Sequence, residues 1–163
     1  MKCLRGTMLA LFLVLSSISP TVSAAAANDI EPYAFDVVTG VMEVPVWVPA
    51  YESPAGYTVD SWSFNIKVQY RIRYNTNTGE ITSVEELGHE MQGGAFSPDS
   101  RGRVSGLNYE RCNLSIVNNN LSIKCTYSAS VSLIYTEFPG VPVSQELVTK
   151  TLTGTTTISP ERD

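Results

Sequence analysis

The fold is decided by residues 62–74, which are WSFNIKVQYRIRY. Hydrophobic residues occupy every even position from Trp62 to Tyr74, and polar residues occupy the odd positions between them. This period of two is typical of a β-strand with one buried and one solvated face, because successive strand side chains point to opposite faces. A helix would instead place Asn65 and Gln69 on the same stripe as Trp62. The segment therefore predicts one long strand of an antiparallel sheet.

Further strand signals on both sides of this segment make the whole chain all-β. Residues 41–48 are rich in Val, residues 104–135 contain two apolar stretches, and residues 147–158 are rich in Thr. Turn residues separate these segments. The pattern predicts an antiparallel β-sandwich of about six to eight strands, with a barrel as the alternative.

The domain boundaries follow from where the strand signals begin and end. We expect the β-sandwich domain to span residues 41–158 and a polar tail to follow at 159–163. Residues 25–40 form an N-terminal segment whose alternating Tyr33, Phe35 and Val37 are compatible with joining the sheet.

The Val-rich segment 41–48 has two faces of different character. Its even positions are apolar, whereas Trp47 has the opposite parity, so Trp47 is expected to point outward if the Val face is buried. Pro45 has no N–H group to donate to a neighbouring strand. The segment is therefore predicted to be an edge strand.

Residues 85–103 are expected to form a long loop. They carry four glycines and Pro98, and show no sustained period. Loops of this length inside a compact domain are often functional.

The N-terminus has the pattern of a secretory signal peptide. Lys2 and Arg5 precede an apolar run at residues 8–15, and Val22-Ser23-Ala24 ends the segment with a small-x-small cleavage motif. The apolar run is much shorter than the ~20 residues that span a membrane. We expect residues 1–24 to be removed and the product to be secreted or periplasmic.

The charge of the exported chain disfavours some partners. Loss of residues 1–24 leaves nine basic and 16 acidic residues, a net charge of −7. Nucleic acids and anionic lipid surfaces are bound by clustered Lys and Arg. We therefore expect no nucleic-acid partner. We also expect no membrane span, because no apolar run in the chain is long enough for one.

Two cysteines remain after this cleavage, and we expect them to form a disulfide in an oxidising compartment. A two-residue turn at Asn118-Asn119 would place Cys112 directly opposite Cys125 in a hairpin. A three- or four-residue loop, which would offset the two cysteines, is the alternative. Asn113 and Asn120 also fit the N-glycosylation motif, which matters only in a eukaryotic source.

The candidate binding residues are aromatic or lie in the expected loop. Exposed aromatic side chains can stack on sugar rings or anchor a protein partner; the candidates are Trp47, Tyr51, Tyr57 and His89. A metal site could use His89 with Glu85, Glu86 or Glu90, but the second His of a zincin motif is absent. We expect no catalytic residue, metal or cofactor.

Three hypotheses of function follow. The leading one is a secreted or periplasmic, non-catalytic protein that binds a protein or glycan at the cell envelope, through the 85–103 loop or the face around Trp47. The second is a small secreted hydrolase or metal-dependent enzyme that uses His89 and nearby carboxylates. The third is an extracellular protease inhibitor that presents the long loop.

Overall fold

Every regular element that the computed structural model describes is a β-strand, and the residues described are 34–93, 95–139 and 145–162. The strands are β1 (Phe35–Val48), β2 (Tyr51–Glu52), β3 (Thr58–Val59), β4 (Trp62–Asn75), β5 (Ile81–Met91), β6 (Gly102–Val117), β7 (Ser122–Thr136) and β8 (Gln145–Ile158). The expected signal peptide, residues 1–24, lies outside the described residues. Within them, we find no helix that is long and apolar enough to cross a membrane.

Six of the strands form one antiparallel sheet in the order β5-β4-β1-β8-β7-β6, and β2 pairs with β3 in a small second sheet. The large sheet curves until its two end strands meet, so that His89 of β5 lies 3.2 Å from Glu110 of β6. One sheet thus supplies both of the layers that face each other, as in a barrel that is nearly closed. The predicted all-β, antiparallel fold of six to eight strands is confirmed.

The core lies on the inner face of this curved sheet. In β4 the even-numbered side chains from Trp62 to Tyr74 are all buried, as the alternation predicts. They face the odd-numbered side chains of β7, of which Tyr127, Val131 and Tyr135 are fully buried. Burying one Val, Leu, Ile or Phe side chain stabilises the folded state by roughly 1.5–3 kcal/mol. These two strands therefore supply much of the free energy that holds the fold together.

β1 is not an edge strand, and that prediction is wrong. β1 pairs with β4 along its whole length, and lies between β4 and β8. Pro45 limits strand pairing only on the β8 side of β1, where Val46 and Gly154 form the one described pair. The two strands approach so closely there that a Cβ on Gly154 would lie 2.4 Å from the Pro45 carbonyl oxygen. A glycine is therefore required at this crossing.

The β6–β7 hairpin has a four-residue loop, so the predicted two-residue turn is wrong. Val117 pairs with Ser122, and Cys125 consequently pairs with Leu114 while Cys112 pairs with Tyr127. The loop begins with three asparagines that all adopt the left-handed conformation, with φ of 54°, 54° and 63°. Asparagine enters this region more cheaply than most residues. The Asn120 carbonyl also accepts a hydrogen bond of 2.7 Å from the Ile81 amide, which ties the loop to β5.

The expected loop at residues 85–103 is shorter than predicted, because residues 85–91 belong to β5 and residues 102–103 belong to β6. β5 continues to Met91 and β6 begins at Gly102, so that only the segment between them connects the strands. The period of two is lost here because β5 contains a bulge opposite Gln69 and Tyr70. One extra residue in a strand reverses the parity of everything beyond it.

Candidate functional site

A cluster of polar side chains lies where β5 meets β6. No ladder joins these two strands in the described part of the chain, and side chains bridge the gap instead. We call this cluster the seam site. Its members are Glu86 and His89 of β5, Glu110 and Cys112 of β6, and Cys125 and Tyr127 of β7.

A bulge in β5 places Glu86 and His89 on the same face. Residues three apart in a regular strand point to opposite faces. Here Glu86 pairs with Tyr70 and His89 pairs with Val68, while Leu87 is the extra residue between them. Tyr70 and Val68 both point into the core. The bulge therefore directs both polar side chains toward the inner side of the seam.

A second bulge in β6 contributes the opposite half of the site. Asn108 pairs with Ser130 and Arg111 pairs with Ser128, so Tyr109 and Glu110 together oppose one residue of β7. Tyr109 takes up the distortion with φ of 51°, and its side chain is 90% exposed. Glu110 is turned toward the seam as a result.

His89 is held by a carboxylate on each side of its ring. Its Nδ1 lies 2.5 Å from Glu86 Oε1, and its Nε2 lies 3.2 Å from Glu110 Oε2. Tyr127 donates its hydroxyl hydrogen to Glu110 and meets the imidazole edge-on, with ring centroids 5.5 Å apart. The His89 side chain is only 22% exposed. The imidazole is therefore fixed in position.

The two cysteines are free thiols in this structure, with their Sγ atoms 3.5 Å apart, so the predicted disulfide is not confirmed. The hydrogen bond to Cys125, burial and the Glu86 carboxylate raise the pKa of Cys112. The same hydrogen bond lowers the pKa of Cys125, whose side chain is fully buried.

A different surface surrounds Trp47, which points outward and is 63% exposed. Trp47 lies directly across the β1–β4 ladder from Ser63. Beside it is an open groove of about 410 Å³, whose outer lining includes Glu43, Ser63, Asn65, Gln92 and Phe96. We call Trp47 together with these five residues the Trp47 face. It combines exposed aromatic rings with carboxylate, amide and hydroxyl groups.

The other aromatic candidates do not join this face. Tyr51 stacks on Tyr135, with ring centroids 4.0 Å apart, and donates its hydroxyl hydrogen to Glu146. Tyr57 is buried. Tyr51 and Tyr57 therefore belong to the packing around the β2–β3 sheet, and the four predicted binding residues do not form one surface.

The sequence predicted His89 as a candidate, but it did not predict that Glu110 and Cys112 lie close to it. These residues come from different strands, and only the sheet curvature and the two bulges bring them together. The motif around His89 carried no signal for either of them. Comparison with protein-family models, with curated proteins and with solved structures found no match for this chain.

Proposed function

We propose that this protein is an exported, non-catalytic binding protein, and that it binds a glycan of the cell envelope on the Trp47 face. The observation that carries the proposal is the exposed Trp47 indole beside a groove of hydrogen-bonding side chains. A sugar ring has an apolar C–H face and a rim of hydroxyl groups. The combination of an aromatic platform with a few placed polar groups suits both.

The polar groups on this face are held in place before a ligand arrives. The side-chain amide of Asn65 donates a hydrogen bond of 3.0 Å to Glu43 Oε2 across the β1–β4 ladder. Both residues sit on long, paired strands, so their positions are set by the sheet. Preorganised groups lose little conformational entropy when they bind.

The net charge of the exported chain limits the class of ligand. The acidic character of the chain favours neutral or cationic ligands over polyanions.

Export and the disulfide belong to the same proposal. The N-terminal pattern at residues 1–24 supports export, and an oxidising compartment favours a bridge between Cys112 and Cys125. Their sulfurs are close enough for oxidation to join them after a shift of the side chains.

The test is an array of defined oligosaccharides probed with the mature protein, followed by titration calorimetry with the strongest binder. We expect Trp47→Ala to weaken binding at least about tenfold, a loss of about 1.4 kcal/mol. Leu147→Ala is the matched control, because it removes another exposed apolar side chain, 69% exposed on β8. Equal binding by Trp47→Ala and Leu147→Ala would reject the Trp47 face. Absence of binding to every oligosaccharide on the array would reject the glycan as the ligand.

A further inference from the structure

The seam site contains a set of donor atoms that suits a metal ion. A carboxylate oxygen of Glu86, a ring nitrogen of His89 and the sulfur of Cys112 all lie within 4.8 Å of one another. Two of these ligands come from β5 and one comes from β6. Carboxylate, imidazole and thiolate together are donors typical of zinc sites, whereas Mg²⁺ and Ca²⁺ prefer oxygen alone.

The groups around His89 also have the arrangement found around metal ligands. Histidines that bind a metal through one ring nitrogen commonly donate the other N–H to a carboxylate. In this structure Nε2 lies 3.2 Å from Glu110, which itself accepts the Tyr127 hydroxyl hydrogen. Nδ1 faces Glu86 on the opposite side of the ring. Glu110 therefore directs Nδ1 toward the other donors.

Cys125 lies next to Cys112, with the two Sγ atoms 3.5 Å apart. The donors that all lie within 4.8 Å of one another are those of Glu86, His89 and Cys112. Cys125 is therefore the partner with which Cys112 can form a disulfide, and it is not one of the zinc ligands.

We propose that Glu86, His89 and Cys112 bind one Zn²⁺ ion when the cysteines are reduced. The ion joins β5 to β6 at the place where the described strands form no ladder, and so closes the barrel. Its binding and the Cys112–Cys125 disulfide are alternative states of one cysteine pair. The inference is independent of glycan binding on the Trp47 face.

The two states are exchanged by thiol–disulfide chemistry. A small-molecule disulfide accepts two electrons and is released as two thiols, while the two cysteines lose their protons and form one S–S bond. Cys112 is then no longer a thiolate ligand, and zinc is released. Zinc bound beforehand protects the Cys112 sulfur from this reaction.

The test is titration of the reduced, full mature protein with Zn²⁺ alone, using a competing chromophoric chelator and elemental analysis. We expect one zinc per chain. His89→Ala and Cys112→Ser should each weaken binding by at least about 100-fold, and Glu110→Gln by about 10- to 100-fold, as for other residues that orient a ligand. Circular dichroism shows whether each variant is folded.

The matched control is Glu85→Gln. Glu85 is the neighbour of Glu86, but it forms an ion pair with Arg71 at 3.2 Å, and its side chain is 62% exposed. Glu85→Gln should bind zinc like the wild type, whereas Glu86→Gln should not. Oxidation with a small-molecule disulfide should abolish zinc binding.

Absence of one-to-one zinc binding by the folded, reduced protein would overturn the inference. Wild-type affinity in folded His89→Ala and Cys112→Ser would also overturn it. Trp47→Ala leaves the seam site intact and should therefore bind zinc like the wild type. The zinc titration and the oligosaccharide array thus test the two proposals separately.

Discussion

Gly154 shows how one residue can determine where two strands cross. A Cβ at this position would lie 2.4 Å from the Pro45 carbonyl oxygen and 3.0 Å from methyl carbons of Val44 and Val46. The first of these contacts is with backbone, which cannot move aside as a flexible side chain can. β1 and β8 therefore need a residue without a side chain at their one described pair.

We accordingly expect Gly154→Ala to reduce the free energy of unfolding by about 1–3 kcal/mol, the usual cost of overpacking a core. Urea denaturation measures this loss. Gly106→Ala is the control, because a Cβ there would have no atom within 4 Å, and its effect should stay within about 0.5 kcal/mol. Equal stability of the two variants would contradict the close approach of β1 to β8.

One carboxylate of β8 accepts two hydrogen bonds from the segment that contains the β2–β3 sheet. Tyr51 and Ser53 both donate hydroxyl hydrogens to Glu146. The hydrogen bond to Glu146, burial and the carboxylate charge raise the pKa of Tyr51 from 10.0 to about 12. The hydrogen bonds from Ser53 and Tyr51 lower the pKa of Glu146. Both shifts favour a neutral tyrosine beside an ionised glutamate.

These hydrogen bonds predict a pH dependence of stability. A raised tyrosine pKa gives stability that is complete below pH 10.0 and is lost as the pH rises toward about 12. A lowered glutamate pKa gives stability that is lost as the pH falls below the ordinary value of 4.5.

We therefore expect Tyr51→Phe to lower the melting temperature most at intermediate pH, and to differ less from the wild type toward both extremes. Glu146→Gln should remove both the acid and the alkaline part of this pH dependence. Thermal unfolding followed by circular dichroism across the pH range measures this. A Tyr51→Phe difference that stays constant above pH 10.0 would show that Tyr51 does not depend on Glu146.

Strands with regular alternation could be predicted from sequence, and strands with bulges could not. The even-numbered apolar residues of β4 and the outward direction of Trp47 follow from parity alone. In β5 the bulge at Leu87 breaks the parity, and the segment therefore resembled a loop. In the β6–β7 hairpin, contacts of the loop with Ile81 and Arg162 come from distant parts of the chain.

The candidate site was less predictable than the fold for the same physical reason. Parity along one strand predicted Trp47, because it needs only local geometry. The contacts of His89 with Glu110 and the approach of Cys112 require the curvature of the whole sheet. No local pattern around His89 contains that information.

For the molecule as a whole, we expect export to determine which state the seam site adopts. Expression with residues 1–24 intact in a secreting host should give a product that begins near Ala25. In an oxidising compartment without added zinc, Cys112 and Cys125 should be bridged. Intact-mass spectrometry under non-reducing conditions measures both. A product that retains Met1 and has Cys112 and Cys125 as free thiols would contradict the proposed export.

The most direct test of the proposed function uses the two tryptophans, since the chain has only Trp47 and Trp62. Their side chains are 63% and 4% exposed, so Trp62 is an internal control. The measurement is the indole N–H region of a ¹⁵N-labelled spectrum while the strongest oligosaccharide from the array is added. We predict that the Trp47 signal shifts on binding and the Trp62 signal stays in place. Binding that leaves the Trp47 signal unchanged would contradict the Trp47 face as the glycan site.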